Sequence, residues 1–320
     1  MRVVIAGGGT GGHLFPALAV HEALERGRTG TRTLFVGAAT GIEATILPRL
    51  GHAFRGLKVR QVKGTTWGGK ARAVLGLPVV VREADRLLRE FQAEAVLGVG
   101  GYASFPTVLA ARLRRIPTVL HEQNAYPGLA NRWLGRLASA VAVSFARAAG
   151  FFPADRVEVT GNPVRAEIRP GDAREARRRL GLSPQRFTIF VFGGSQGAHR
   201  LNEGTMQALP LLTAEREQLQ FLHGTGERDL AAVQQAYGRG GFQARAEAFI
   251  QDMATAYQAA DFVIGRAGAS TVFELAAAGK PALLVPYPFA ANDHQRLNAE
   301  AAVTAGAAWL LPDGYCDGRR

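Results

Sequence analysis

The chain has 320 residues, 47% of them hydrophobic, a length and composition that favour two α/β domains over one small core. Its single cysteine, Cys316, excludes a disulfide framework and a cysteine zinc site, and no apolar run reaches membrane-spanning length. The net charge of +12 is mostly arginine; it suits nucleic acid, anionic lipid or phosphorylated substrates, or else reflects base composition or heat adaptation.

In chain order, apolar strands alternate with helical patterns, which predicts parallel sheets covered by helices on both faces. Strands are predicted at Val3–Ala6, Thr33–Val36, Ala95–Val99, Thr118–Leu120, Val141–Val143 and Val157–Val159, with a helix over Pro16 to Arg26. The pattern restarts with strands at Phe187–Phe192, Gln220–His223, Ala246–Phe249, Phe262–Ile264 and Ala282–Val285. The N-terminus enters its first strand with no signal peptide, so we expect a reducing, cytoplasmic setting. We predict two Rossmann-like domains, at 1–163 and 164–320, with a ligand cleft between them.

A glycine-rich loop follows the first predicted strand. Five of the six residues from Gly7 to Gly12 are glycine, and the loop formally satisfies the G-x-G-x-x-G pattern. A dinucleotide site also needs an acid at the end of the second strand, and here none occurs before Glu43. The pattern therefore disfavours a dehydrogenase and favours a loop whose amides face a diphosphate. The alternative is a tight turn needed only for packing.

His13 follows this loop at the start of the predicted helix. The positive end of a helix dipole disfavours the imidazolium, so a neutral imidazole is expected at pH 7. A neutral imidazole can accept a proton, and we interpret His13 as a general base. The alternative is that His13 only caps its helix or packs in the turn.

Two polar segments follow later strands of the first half. His121-Glu122-Gln123-Asn124 lacks the second histidine of a zinc helix, so we interpret it as a hydrogen-bonding loop at a strand's carboxyl end. The alternative for Glu122 is an ion pair with a nearby arginine. Tyr102, after Gly100-Gly101, lines the cleft or is a surface aromatic.

The second half carries two further loops after strands. Gly193-Gly194-Ser195-Gln196-Gly197 offers amides and a hydroxyl but lacks the lysine of a Walker loop, so hydrolysis of nucleoside triphosphates is not expected. The segment from Arg266 to Ala282 places small residues and hydroxyls before an apolar helix that ends at Gly279. Within that helix, Glu274 can accept hydrogen bonds from a sugar. This combination predicts a site for a nucleotide with a ribose and a diphosphate. No Asp-x-Asp cluster is present, so Arg266 and helix dipoles would neutralise a leaving diphosphate in place of a metal.

Together these motifs resemble the MurG family over residues 1 to about 310. They are GGGTGGH at 7–13, GVGGYAS at 98–104, LHEQN at 120–124, GNPVR at 161–165, GGSQGA at 193–198, RAGASTVFELAAAGKPA at 266–282 and DHQRLNA at 293–299. The resemblance implies a GT-B fold and transfer of N-acetylglucosamine from UDP-N-acetylglucosamine to the undecaprenyl-linked muramoyl-pentapeptide of peptidoglycan synthesis. We expect no cofactor and no metal-ligating residues, and the need for a divalent cation stays open. The tail from Leu310 departs from the family pattern, because no helical period follows it.

The resemblance also implies roles for individual residues. On the donor side it implies contacts with UDP-N-acetylglucosamine from Thr10, Gly11, Gly12, Asn124, Arg165, Ser195, Ile250, Arg266, Ala269, Ser270, Thr271, Val272, Phe273, Glu274 and Gln295. Glu274 is expected on the ribose, Ile250 on uracil through its backbone, and Gln295 on the sugar hydroxyls. Thr10, Gly11 and Gly12 also approach the acceptor, and His13, Tyr102, Glu122 and Asn131 lie on the acceptor side.

The sequence therefore predicts an inverting glycosyltransferase. The alternatives are a GT-B transferase with another lipid acceptor, a UDP-sugar epimerase of similar fold and a non-catalytic sugar-nucleotide binding module. A lipid-linked acceptor requires a peripheral protein at the cytoplasmic face of the membrane, with no nucleic-acid partner. We expect docking on anionic lipid through Leu75–Val81, flanked by Lys58, Arg60, Lys63, Lys70, Arg72, Arg82 and Arg86. The alternative is that Val79 to Val81 pack in the core.

Overall fold

The computed structural model describes residues 1–59, 67–101, 104–194 and 197–319, and for 67–75 it describes the backbone alone. The chain divides into two compact units, Met1–Arg165 and Ala166–Arg320. Each unit is a parallel sheet with helices in its crossovers, as the alternation of strands and helices predicts.

The described part of the first unit contains a seven-stranded parallel sheet in the order β3-β2-β1-β4-β5-β6-β7. Its strands are β1 Arg2–Ala6, β2 Arg32–Ala38, β3 Phe54–Leu57, β4 Ala95–Gly98, β5 Thr118–Glu122, β6 Ala140–Val143 and β7 Val157–Val159. Its helices are α1 Gly11–Gly27, α2 Glu43–Arg49, α3 Trp67–Phe91, α4 Ser104–Leu113, α5 Leu129–Leu134 and α6 Ala146–Ala149. The central strands are apolar runs because both of their faces are covered: Val4, Val96 and Leu120 belong to one buried cluster.

The described part of the second unit contains a six-stranded parallel sheet in the order β10-β9-β8-β11-β12-β13. Its strands are β8 Phe187–Phe192, β9 Leu219–Gly224, β10 Gln243–Glu247, β11 Phe262–Gly265, β12 Ala282–Leu284 and β13 Ala308–Leu310. Its helices are α7 Ala173–Arg179, α8 His199–Ala208, α9 Leu230–Gly240, α10 Met253–Ala259, α11 Ala269–Ala278 and α12 His294–Thr304. Short 3₁₀ turns occupy Leu209–Glu215, Ala291–Asp293 and Asp313–Tyr315.

Both sheets reverse their strand order beside the first strand of the unit. In the first unit β1 lies between β2 and β4, and in the second β8 lies between β9 and β11. Ligands of open parallel sheets bind beyond the strand ends at such a reversal. The glycine-rich loops after β1 and β8, and the loops after β4 and β11, all lie at these points.

Three sequence predictions need correction. The strand predicted at Ala246–Phe249 is β10, at Gln243–Glu247, because this edge strand alternates polar and apolar residues. The edge strands β3 and β13 were not predicted: β3 has no apolar run, since Arg55 and Gly56 interrupt it, whereas β13 is a short apolar run that the prediction missed. His121 and Glu122 belong to no loop, since they are the last two residues of β5.

Candidate active site

The first amides of the loop after β1 donate hydrogen bonds to other groups of the same chain. The first three glycine amides, Gly7–Gly9, donate in turn to Val36 O at 2.9 Å, Gly100 O at 3.3 Å and Glu43 Oε2 at 2.8 Å. The prediction that the amides of this loop face a diphosphate therefore applies only to Thr10–Gly12. There the N-terminus of α1 begins, and the first helical amides have no acceptor within the helix.

His13 is the third residue of α1, and its ring is oriented by Thr10. The Thr10 hydroxyl oxygen lies 3.1 Å from His13 Nδ1. When Nδ1–H donates to that oxygen, Nε2 carries the lone pair that a general base needs. The ring lies against Gly100, whose φ is +91°, and a Cβ on that glycine would stand 2.9 Å from Nε2. Because Gly100 has no side chain, the His13 imidazole has room to lie against it.

Glu122 lies at the end of β5 and is buried. Its carboxylate accepts from Asn131 Nδ2 at 2.9 Å, from the Asn124 amide at 3.0 Å and from the Gly128 amide at 3.1 Å. Burial raises the pKa of Glu122, and these hydrogen bonds oppose that rise. Among the residues that the structure describes, amide groups and no arginine hold it, so these residues give no support to the alternative of an arginine ion pair.

Asn131 and Asn124 are brought together by that carboxylate. Asn131, in α5, is buried and also donates to His121 O at 3.3 Å. Asn124 places its side-chain amide 3.4 Å from Glu122 Oε1. A Cβ built on Gly100 would lie 3.7 Å from Asn131 Nδ2 and 2.9 Å from the His13 ring. Four residues predicted apart along the sequence thus form one group at the carboxyl ends of β1, β4 and β5.

A second histidine, His121, lies beneath this group and has a different character. Burial lowers the pKa of His121 to about 4, with His13 adding a smaller push in the same direction. The side-chain amide of Gln123 donates to Nδ1 at 3.0 Å and to Val99 O at 2.8 Å. His121 is therefore a neutral core residue.

The donor motif of the second unit forms the helix that its sequence predicts. The residues Ala269, Ser270, Thr271, Val272, Phe273 and Glu274 are the first six of α11, directly after the Arg266–Gly268 link from β11. The helix ends at Gly279, whose φ of +65° is the left-handed value that favours glycine. The buried hydroxyl oxygen of Ser270 has no hydrogen-bond partner among the described residues. The helix N-terminus and this hydroxyl are suited to an anionic ligand.

Glu274 and Arg266 both have partners within the chain. The buried carboxylate of Glu274 accepts from Tyr257 Oη at 2.9 Å. Arg266 Nη1 donates to Asp313 and to the carbonyl oxygens of Val285 at 3.1 Å and Pro286 at 3.2 Å. To neutralise a diphosphate, Arg266 would have to share or leave Asp313.

The remaining predicted residues have distinct surroundings. Gln295 Oε1 accepts from the Tyr287 amide at 2.9 Å, and buried Ile250 follows β10 outside the strand ladder. The guanidinium of Arg165 lies 5.0 Å from the centre of the Phe15 ring, within the first unit. Tyr102, Ser195 and the flanking residues Arg60 and Lys63 lie outside the described residues.

Two residues that sequence reasoning passed over support these loops. The buried side chain of Asn298 donates to Ala267 O at 3.1 Å and fixes the link before α11. Asn298 lies three residues after Gln295 in the same helix, a spacing that puts both side chains on one helical face and could have identified Asn298 from the sequence. Glu43 accepts from the Gly9 amide in the loop after β1, a contact between residues 34 apart that no local sequence signal predicts.

Within the described ranges, no group of three or more His, Cys, Asp or Glu side chains is placed to hold a metal ion. The described helices include none that is long and apolar enough to cross a membrane.

Comparison with known proteins defines the class first. Residues 3–143 match the glycosyltransferase family 28 N-terminal domain, and residues 188–319 match its C-terminal domain. With two Rossmann-like domains, the protein is a glycosyltransferase of GT-B architecture.

The relatives define the family. The chain is 44% identical to the UDP-N-acetylglucosamine–N-acetylmuramyl-(pentapeptide) pyrophosphoryl-undecaprenol N-acetylglucosamine transferase of Geotalea daltonii, over 97% of this chain and 84% of that one. It is also 44% identical to the transferase of the same name from Syntrophus aciditrophicus, over 100% and 87%. The crystal structure of Acinetobacter baumannii MurG matches with a TM-score of 0.75 and 33% identity, over 98% and 86%. The chain belongs to the MurG family.

A more distant structure shares the fold alone. The UDP-GlcNAc 2-epimerase of Neisseria meningitidis, bound to UDP-GlcNAc, matches with a TM-score of 0.63 at 16% identity.

Proposed function

We propose that this protein is an inverting transferase that moves N-acetylglucosamine from UDP-N-acetylglucosamine to the undecaprenyl-linked muramoyl-pentapeptide. The observation that carries the proposal is the identity of 44% over nearly the whole chain to transferases named for this reaction. In the proposal the first unit holds the acceptor, and the donor is held mainly by the second unit with Arg165 of the first unit as a further phosphate contact.

On the acceptor side, His13 takes the proton. The acceptor hydroxyl oxygen forms a bond to the anomeric carbon of the sugar while the bond from that carbon to the UDP oxygen breaks on the opposite face, so the configuration inverts. The hydroxyl proton passes to Nε2 of His13, whose Nδ1 faces Thr10. Glu122 acts through Asn124 and Asn131, whose amides it orients toward the same strand ends.

On the donor side, the electron pair of the broken bond remains on the leaving diphosphate. The N-terminus of α11, with the hydroxyl of Ser270, is proposed to stabilise that charge. Glu274 is proposed to bind the ribose, Ile250 the uracil and Gln295 the sugar. Ser195, Arg165 and Arg266 remain proposed phosphate contacts. To bind a phosphate, Arg266 would have to share or leave its partner Asp313.

One assay separates this function from its alternatives. The intact protein is incubated with UDP-N-acetylglucosamine labelled in the sugar, with and without the lipid-linked acceptor. We expect label in the lipid fraction only when acceptor is present. Label bound without turnover would instead indicate a binding module, and UDP-N-acetylmannosamine as product would indicate an epimerase. A variant acceptor lacking the peptide tests for a different lipid acceptor.

We also propose that the protein binds the cytoplasmic face of an anionic membrane through the outward face of α3. Val79 is 67% exposed, and Arg82 and Arg86 follow three and seven residues later on the same helical face. Val80 and Val81 pack against the core of the first unit, so that part of the predicted segment faces inward. Arg86 pairs with exposed Glu90, a surface ion pair that a lipid phosphate can replace at little cost.

Vesicle sedimentation tests this surface. Binding of the protein to vesicles containing anionic lipid should weaken with salt and fall in the variant Val79→Glu. The matched control replaces Trp133 by Glu, because Trp133 on α5 is an equally exposed apolar residue beside arginines. If only the Trp133 variant loses binding, α5 and not α3 is the docking face.

A further inference from the structure

The carboxyl group of Glu43 is enclosed by the loop that precedes His13. Glu43 is the first residue of α2, and its side chain is 1% exposed. Its Oε2 accepts from the Gly9 amide and its Oε1 from the Ala38 amide, each at 2.8 Å. A carboxylate therefore ties the end of β2 to the loop after β1, and it uses both of its oxygens to do so.

Three glycines make room for this carboxyl group. A Cβ on Gly8 would stand 2.3 Å from Glu43 Cδ, one on Gly41 would stand 2.4 Å from the same atom, and one on Gly37 would stand 2.5 Å from Cγ. Real Cβ atoms do not approach so closely, so the Glu43 side chain can take this position only because these three residues are glycine. Of the two adjoining glycines, Gly9 has a φ of +86° and Gly8 one of +139°.

This arrangement puts an internal anion where a glycine-rich loop otherwise receives one from a ligand. The Gly9 amide is adjacent to Thr10, which begins α1 and contacts His13 Nδ1 at 3.1 Å. The carboxylate, the loop, the threonine and the imidazole thus form one chain of contacts. Because this acid is directed into the loop, it is not presented to a ribose as in a dinucleotide site.

We propose that Glu43 is a positioning residue for the reaction: it holds the loop after β1 so that Thr10 and His13 keep their geometry. This inference rests on the proposed function for its kinetic consequence, but the loop contact itself does not. In the isosteric variant Glu43→Gln, one of the two amides must face the side-chain NH₂ group, which cannot accept from it.

The experiment combines kinetics with amide hydrogen exchange on the full chain. For Glu43→Gln we expect kcat of glycosyl transfer to fall by about 10- to 100-fold, because a shifted loop displaces the His13 imidazole from the acceptor hydroxyl. The affinity for UDP should fall far less than kcat, since the residues proposed to bind its ribose and uracil lie in the untouched second unit and only Thr10–Gly12 of the disturbed loop approach its diphosphate. Exchange in the peptide containing Gly9 should accelerate. Glu158→Gln, on an exposed residue of β7, is the matched control and should change none of these.

A second variant reaches the same loop without removing the charge. Gly41→Ala places a methyl group against the Glu43 carboxyl and should reproduce the fall in kcat, whereas Gly27→Ala, where a Cβ meets open space, should not. The inference is overturned if Glu43→Gln keeps kcat and Gly9 protection within twofold of the parent, or if UDP affinity falls as steeply as kcat. If the parent transfers no sugar at all, the proposed function fails, and the exchange data alone still decide whether Glu43 holds the loop.

Discussion

Removing the carboxylate of Glu274 should weaken UDP binding by a calculable amount. Glu274 is buried in α11, and one of its oxygens already accepts from the Tyr257 hydroxyl at 2.9 Å. A hydrogen bond from a ribose hydroxyl to the carboxylate is worth about 1.5–3 kcal/mol as a bond to a charged group. In Glu274→Ala that loss corresponds to a rise in Kd of about 10- to 150-fold.

The assay is titration calorimetry with UDP and with 2′-deoxy-UDP. The parent should prefer UDP, and Glu274→Ala should bind both nucleotides equally weakly, because the group that reads the ribose is gone. Tyr257→Phe is the matched control: it removes the hydroxyl that Glu274 accepts from but keeps the carboxylate. It should therefore retain the preference for UDP. Unchanged UDP affinity in Glu274→Ala, or a variant that still discriminates between the two nucleotides, would refute this reasoning.

Two further predictions concern the histidines. His13→Ala should lower turnover by about 10²–10⁴-fold with little change in the Kd for UDP; a loss of UDP affinity as steep as the loss of turnover would show that His13 is a binding or structural residue. Burial lowers the pKa of His121 to about 4 and that of His223 to about 3, so the unfolded chain binds more protons than the folded one below pH 6.5. The free energy of unfolding should therefore fall as the pH drops from 7 toward 4, although Glu122, with its raised pKa, opposes this trend. Denaturant unfolding at successive pH values checks it, and His121→Asn should flatten the fall; an unchanged slope would contradict the assignment of His121 as a buried neutral residue.

The sequence predicted the central strands of both sheets and the edge strand β7, but it missed the edge strands β3 and β13 and misplaced β10. Strands such as β1 and β8 are covered on both faces, so each contains a continuous apolar run, Val3–Ala6 in β1 and Ile189–Phe192 in β8. The edge strands β3 and β10 carry Arg55 and Arg245, and their pairing depends on neighbours rather than on their own composition. Periodicity cannot detect a strand of that kind.

At the candidate site, the sequence predicted which residues gather but not how they are held. The motifs at the ends of β1 and β5 predicted the neighbourhood of His13 and Glu122 because parallel strands end at one edge of the sheet. The bond from Gly9 to Glu43 joins residues 34 apart, and that from Arg266 to Asp313 joins residues 47 apart. Neither pairing has a local sequence signal, so the internal partners of the loop and of Arg266 emerge only from the fold.

The buried clusters of the described residues each draw their members from a single unit. Val4 and Leu88 belong to one cluster of the first unit, whereas Val191 and Phe221 belong to a cluster of the second. Since each of these clusters lies within one unit, we expect each unit to unfold in its own thermal transition. A nucleotide that binds only one folded unit stabilises that unit, because binding shifts its folding equilibrium by mass action. Only the melting temperature of that unit then rises. Differential scanning calorimetry with UDP would then show one endotherm moving and the other standing still, which assigns each thermal transition to its half of the chain.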